Sequence, residues 1–243
     1  MNIHVVKNPK ELGAFAALKI AAFLQEAIKK NGYARLLLST GASQFETISH
    51  LIKEKVDWPR VEMFHLDEYV GLPEKHKASF RFYLKKRFTS KVNLKAAYFV
   101  DGEGDIDSLI AMLNKEINKA PIDVGVIGIG ENAHIGFNDP PADFETKKSY
   151  ILVNLDKKCK QQQVREGWFK TETDVPPRAI TITPYAIMKC RHIISSVPHG
   201  VKAEAVLNTL TKKVSPKIPA SILKTHPDWH LYLDTNSAAK VFP

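Results

Sequence analysis

Cysteine is scarce in this chain. It has two, Cys159 and Cys190, and neither sits in a metal-binding or redox spacing. That excludes a disulfide framework and a cysteine-built metal centre, and makes a reduced, cytoplasmic location the default expectation. Long apolar runs are absent as well. None approaches the roughly 18 residues that span a bilayer, so no membrane partner is expected. The opening residues, MNIHVVKNPKELGAF, lack the basic start and apolar block of a signal peptide. No internal repeat, low-complexity tract or domain linker interrupts the chain. What is present is an ordinary globular balance, 44% apolar and 25% charged over 243 residues, which is enough chain to bury a full core in a single domain.

Charge of one sign is in excess, 35 basic against 26 acidic side chains for a net +9. A basic surplus invites a nucleic-acid reading. The lysines are nevertheless interleaved with acids, as in Lys53-Glu54-Lys55 and Lys115-Glu116, and no nucleic-acid motif accompanies them. The expectation is therefore a solvated surface with a few cations left over for an anionic small molecule, and no nucleic-acid partner.

Apolar periodicity predicts strands alternating with helices. Leu12 to Lys30 reads as a helix with Leu12, Phe15, Leu18, Phe23 and Ala27 inward and a stop at Asn31-Gly32. Strands are predicted at Arg35–Ser39, Val61–Leu66, Ala97–Val100, Tyr150–Asn154, Ala179–Thr183, His192–Val197 and Trp229–Asp234. Helices are predicted after Ser43, at Ser79–Phe88, Asp105–Ile117 and Asp156–Val164, after Thr183-Pro184, and after Pro198-His199-Gly200. Val214–Pro227, with three prolines, reads as a long loop. The alternation implies a three-layer α/β/α domain on a parallel, Rossmann-like sheet.

The most informative stretch is Val124–Pro141, VGVIGIGENAHIGFNDPP. Its first half is a continuous apolar run, as in a strand buried on both faces. Its second half delivers Glu131, Asn132, His134, Asn138 and Asp139 to the carboxyl edge of the sheet, where open α/β folds bind ligands. GIGENA fits the loose dinucleotide fingerprint, but that site needs a helix to start on the glycines, and Gly136, Asn138, Pro140 and Pro141 forbid one. Asp67-Glu68, just past a predicted strand, reaches the same edge; for an arbitrary pair of this kind a solvated turn is the simpler reading. Ser39-Thr40-Gly41-Ala42-Ser43 turns into a helix. Ser43 and Glu46 fit a capping box, and the same loop could instead offer amides and hydroxyls to a phosphate. Lys202 is expected in the first turn of a helix, where the macrodipole disfavours a cation unless an anion is nearby.

Together these segments resemble the glucosamine-6-phosphate deaminases and the wider superfamily that includes 6-phosphogluconolactonases. The resemblance runs from about Leu36 to Asp234. It is most specific at Asp67–Leu72, DEYVGL, and Gly128–Pro140, GIGENAHIGFNDP. A lactonase would be expected to read D-G-H-T-A-S-L-F-P across the histidine; His134-Ile135-Gly136-Phe137-Asn138 favours the deaminase branch. The resemblance implies a single sugar-phosphate deaminase/isomerase domain over 1–243. It would convert an amino-sugar 6-phosphate to fructose 6-phosphate and ammonia without a cofactor. A lactonase-type hydrolase and a non-catalytic sugar-phosphate-binding protein stand as alternatives.

It further implies roles. His134 would be the acid–base group for ring opening, Asp67 the base that moves a proton between C2 and C1, and Thr40, Gly41, Ala42, Ser43 and Lys202 the phosphate site. Arg165 lies in the region of the family's phosphate-binding arginine. Two residues depart from the family's usual pattern: Asn132 stands for an aspartate and Asp139 for a glutamate. Asp139 is then the carboxylate expected to charge-stabilise His134, and an aspartate restored at 132 is expected to raise the pKa of that histidine. Little chain follows the last strand, which by the resemblance implies a non-allosteric enzyme and leaves a homo-oligomer open.

Overall fold

The computed structural model describes residues 1–242. The elements follow in chain order: β1 (Asn2–Val6), α1 (Pro9–Asn31), β2 (Ala34–Leu38), α2 (Phe45–Leu51), β3 (Val61–His65), β4 (Asp67–Tyr69), α3 (Phe80–Leu84) and β5 (Ala96–Tyr98). Then come α4 (Ile106–Ile117), β6 (Val124–Val126), β7 (Tyr150–Asn154), α5 (Lys157–Arg165), β8 (Arg178–Ile182) and α6 (Pro184–Ile187). The chain finishes with β9 (His192–Val197), α7 (Ala203–Thr211), β10 (Trp229–Asp234) and α8 (Thr235–Ala238).

Seven strands form one parallel sheet in the order β1-β10-β9-β6-β2-β3-β5. Every residue of β2 and β10 is buried, as expected of strands covered on both faces. Alternate side chains divide the core. Leu36 and Leu38 pack with α1, α2 and α3 on one face, while Leu37 joins α4, α7 and the second sheet on the other. The chain leaves β2 toward β3 and β5, then returns through β6 to the opposite side. The switch point between β2 and β6 therefore opens a crevice at the carboxyl edge.

Four expectations need correction. First, β7 and β8 do not join the parallel sheet. With β4 they form an antiparallel three-stranded sheet, because Asp67–Tyr69 leaves the carboxyl end of β3 and pairs with Ala179–Thr181. Second, Asp67-Glu68 is no solvated turn, for both carboxylates are buried in β4. Third, Phe15 and Leu18 face solvent at 51% and 52% exposure. The buried stripe of α1 instead runs through Leu12, Ala16, Ile20, Leu24 and Ala27, because small alanines let the helix lie close to the sheet. Fourth, the Ser43–Glu46 capping box does not form. The chain makes a 3₁₀ turn over Ala42–Gln44 before α2, and Ser43 Oγ accepts from Gln44 Nε2 at 3.0 Å. Two smaller differences are the added edge strand β1 and a 3₁₀ turn, Pro219–Thr225, inside the expected loop.

Glu68 joins the two sheets to α3. Its carboxylate accepts from Ser79 Oγ and Arg81 N, each at 2.8 Å, and from Tyr69 N at 2.9 Å, and lies 3.5 Å from Arg81 Nε. Arg81 reaches on to Asp101 and to Glu103, and the latter pair is 2.9 Å long. Removing Glu68 would take from Arg81 its one fully buried carboxylate and leave two backbone N–H donors without an acceptor. Glu68→Ala is expected to cost about 3–5 kcal/mol in urea unfolding; a loss under ~1 kcal/mol would mean that Asp101 and Glu103 suffice to hold Arg81.

Candidate active site

The crevice holds a cleft of about 380 Å³, and four chain segments meet in it. Ser39–Ser43 follows β2, Leu66-Asp67 links β3 to β4, Gly128–Phe137 follows β6, and His199–Lys202 follows β9. The end of α5 and the residues after it, Gln162 to Trp168, form the remaining wall. Thr40, Gly41, Ala42, Ser43, Asp67, His134, Arg165 and Lys202 all line this one space. Asn132 and Asp139 stand behind His134.

The loop after β6 has to turn tightly to present His134. Ala133 takes φ +64°, and Gly130 N donates to His134 O at 2.9 Å. The imidazole then lies against Gly130 so closely that a Cβ there would sit 2.2 Å from ring atoms. Gly136, at φ +58°, lets the loop pass beside Asp67; a Cβ would come within 2.8 Å of Thr181 and 3.3 Å of Asp67 Oδ2. Asn138, part of the polar cluster in the sequence, is structural. Its amide donates to Ile135 O at 2.6 Å and Ile182 O at 2.8 Å, tying the loop to β8.

Asp139 Oδ1 lies 3.3 Å from His134 Nδ1, close enough for an ion pair although not aligned as a hydrogen bond. Burial by itself would raise the Asp139 pKa, but the nearby imidazole and the Asn132 amide outweigh it and hold the carboxyl below its usual range. Asp67 is pushed the other way. Burial first, then the adjacent Glu68 carboxylate, raise its pKa well above the ordinary carboxylate value, against the pull of the Phe137 N–H. A carboxylate in that condition is a stronger base than one in water.

At the other end of the cleft the Lys202 ammonium is largely buried and, among the described residues, has no ion-pair partner. It belongs to a 3₁₀ turn, Gly200–Lys202, directly before α7. Burial lowers its pKa, while Glu166 and Glu131 oppose that shift. Across from it, the 39–44 loop presents the Thr40 and Ser43 hydroxyls, and Ser39 Oγ is buried with no partner. Arg165 is half exposed, with its guanidinium 2.5 Å from Glu131 Oε2 at the cleft mouth. The Lys202 cation and the Thr40 and Ser43 side chains thus line the same cleft.

The sequence reading left out several residues of this wall. Ser39 reads in the sequence as a strand end opening the 39–43 loop, with no role of its own. Glu166 is gripped by Gln162 Nε2 at 2.7 Å and Trp168 Nε1 at 3.0 Å, and Gln163 accepts from Tyr69 OH at 2.7 Å. His199 adopts φ +78°, with its N–H held by Asp234. No local signal marked Gln162, Gln163 or Trp168, because their place in the cleft depends on how α5 packs over the small sheet. Asp67-Glu68 did carry a signal, but the weight of each carboxylate came only from burial.

Comparison with known proteins gives a consistent picture. A family model described as glucosamine-6-phosphate isomerases/6-phosphogluconolactonase matches residues 7–231. Glucosamine-6-phosphate deaminases of Bacillus cereus and Bacillus anthracis are 34% identical over 229 residues, covering 94% of this chain and 84% of theirs. A solved monomeric glucosamine-6-phosphate deaminase superposes with a TM-score of 0.90 at 27% identity, over 99% of this chain and 100% of that one. The 6-phosphogluconolactonase of Trypanosoma brucei shares the fold, with a TM-score of 0.81 at 16% identity over 99% and 98%.

The contact between Gly130 and the imidazole yields a prediction that needs no substrate. Gly130→Ala is expected to displace the His134 ring and to destabilise the protein by about 1–3 kcal/mol, as overpacking does. The ring-proton NMR resonances of His134 read the displacement; resonances that stay in place would mean the loop accommodates a methyl without moving the histidine.

Proposed function

The chain belongs to the family of glucosamine-6-phosphate isomerases and 6-phosphogluconolactonases, and from that membership we propose that it deaminates glucosamine 6-phosphate, or a close hexosamine 6-phosphate, to fructose 6-phosphate and ammonia. The reading takes 1–243 as one deaminase/isomerase domain. The observation that carries it is the placement of a buried, basic Asp67 and a carboxylate-backed His134 in the cleft that also holds the free Lys202 cation.

The chemistry suits these positions. The phosphate is held by the Thr40–Ser43 amides and hydroxyls and by Lys202, with Arg165 available at the mouth once it leaves Glu131. His134 moves the proton that opens the sugar ring, and Asp139 stabilises the imidazolium that results. Asp67 then takes the C2 proton, giving an enolamine, and returns it to C1. The product is an imine at C2, whose hydrolysis by one water releases ammonia and leaves the ketone. No redox change occurs, and each proton removed is given back. The alternative hydrolysis of a lactone draws on neighbours whose low identity speaks only for the fold.

Ammonia release from a panel of hexosamine 6-phosphates tests the proposal, with 6-phosphogluconolactone hydrolysis run beside it. Ammonia from one of the amino sugars is the expected result. Saturable binding of all of them without turnover would instead make the chain a binding protein.

Asp67→Asn is expected to lower kcat by about 10²–10⁴ with KM little changed, the usual effect of losing a positioned base. Because burial raises the Asp67 pKa, kcat/KM of the unmodified enzyme should fall on its acid side at a pH above the ordinary aspartate value of about 3.9. A variant that keeps more than half the activity would remove Asp67 from the chemistry. Lys202→Ala should weaken binding of 6-phosphorylated sugars by about 1.5–3 kcal/mol and leave unphosphorylated sugars equally poor ligands of both proteins. An unchanged phosphate affinity would move the anion site toward Arg165.

A further inference from the structure

We propose that Asn132 is a positioning residue acting through Asp139, and that the site is built to hold one negative charge beside His134, not two. The inference rests on the reading of His134 as the ring-opening group.

Both ends of the Asn132 side chain are committed. Its Oδ1 accepts from the backbone N–H of His134 at 3.1 Å, and its Nδ2 donates to Asp139 Oδ1, also at 3.1 Å. A backbone N–H can only donate, so the amide oxygen must face it, and the nitrogen is thereby turned toward the carboxylate. The oxygen that receives this bond is the one that stands 3.3 Å from His134 Nδ1. Asp139 Oδ2 is buried without a hydrogen-bond partner, and the whole side chain is 9% exposed. The carboxylate is therefore aimed at the imidazole through one oxygen, and the Asn132 amide holds that oxygen.

A carboxylate at position 132 would keep the bond to the His134 N–H and lose the donor. Its second oxygen would fall where Nδ2 now lies, against Asp139 Oδ1. Two carboxylates at that distance cannot both ionise and come to share a proton. The other groups facing Asp139 are His134 itself and the Cys159 thiol of α5, on which Asp156 and Asp67 also act. Neither is a permanent cation that could offset a second negative charge. An aspartate at 132 thus meets Asp139 before it helps the imidazolium.

The test compares the unmodified protein with Asn132→Asp, Asp139→Asn, the double variant Asn132→Asp/Asp139→Asn, and Asn132→Ala. It uses NMR titration of the His134 ring nitrogens and of the position-139 carboxyl carbon, alongside the pH profile of kcat. Asn132→Asp is expected to give His134 a two-step titration and a kcat about 10-fold or more lower on the acid side. The double variant again pairs one amide with one carboxylate, so it should titrate in one step and be more active than either single variant. Asn132→Ala, which introduces no charge, should raise the Asp139 titration while leaving KM nearly unchanged. The proposal is overturned if Asn132→Asp titrates His134 in a single step at a higher pKa with kcat intact. It is also overturned if Asn132→Ala leaves the Asp139 titration where it was. The titrations need no turnover, so a protein that releases no ammonia would sink the functional reading and still decide this one.

Discussion

Two neighbouring carboxylates taken out of water set the conditions on which this site exists. Asp67 and Glu68 point to opposite sides of a short strand, and burial disfavours the ionised form of each. Three donors and a guanidinium oppose that cost at Glu68, although burial still leaves its pKa raised. That network fixes β4, α3 and the acidic residues around Arg81 as one unit. Asp67 receives far less, and the shortfall is what makes it basic. Desolvation that would be a cost in a purely structural residue makes an aspartate lining a cleft a better proton acceptor.

Glycine governs the other half of the site. Gly130 lets the imidazole lie on the backbone, and Gly136 lets the loop close over Asp67 and Thr181. With these contacts the loop after β6 does not need a helix to hold its shape. Asn138 secures it to β8, and Asn132 links its start to its end. His134, Asp139 and Asp67 are therefore carried on two sheets locked to one another. Rigid elements of this kind place reacting groups more accurately than free loops do.

The two cations that line the cleft differ electrostatically. Lys202 is buried and unpaired, whereas Arg165 is more exposed and already engaged by Glu131. Glu131 and Glu166 also keep the mouth from being uniformly positive, so the overall +9 of the chain says little about the field inside its cleft.

Much of this was legible in the sequence because it depends on local pattern. Buried parallel strands read as apolar runs, Asn31-Gly32 and Thr183-Pro184 marked helix ends that the structure keeps, and Gly136, Asn138, Pro140 and Pro141 ruled out a helix where none forms. The family and the candidate residues followed from DEYVGL and GIGENAHIGFNDP. What tertiary structure alone decided is the partner of each group. An apolar run does not say whether its neighbour is parallel or antiparallel, so β7 and β8 could not be assigned to their own sheet. Helical periodicity placed Phe15 and Leu18 inward because they are large, while the real stripe followed the alanines that allow close packing. The charge states of Asp67 and Asp139 move in opposite directions although both are aspartates near one strand edge. Desolvation and hydrogen-bond partners are properties of a three-dimensional neighbourhood, and residues as distant in sequence as Asp67 and Phe137 become neighbours only when the chain has folded.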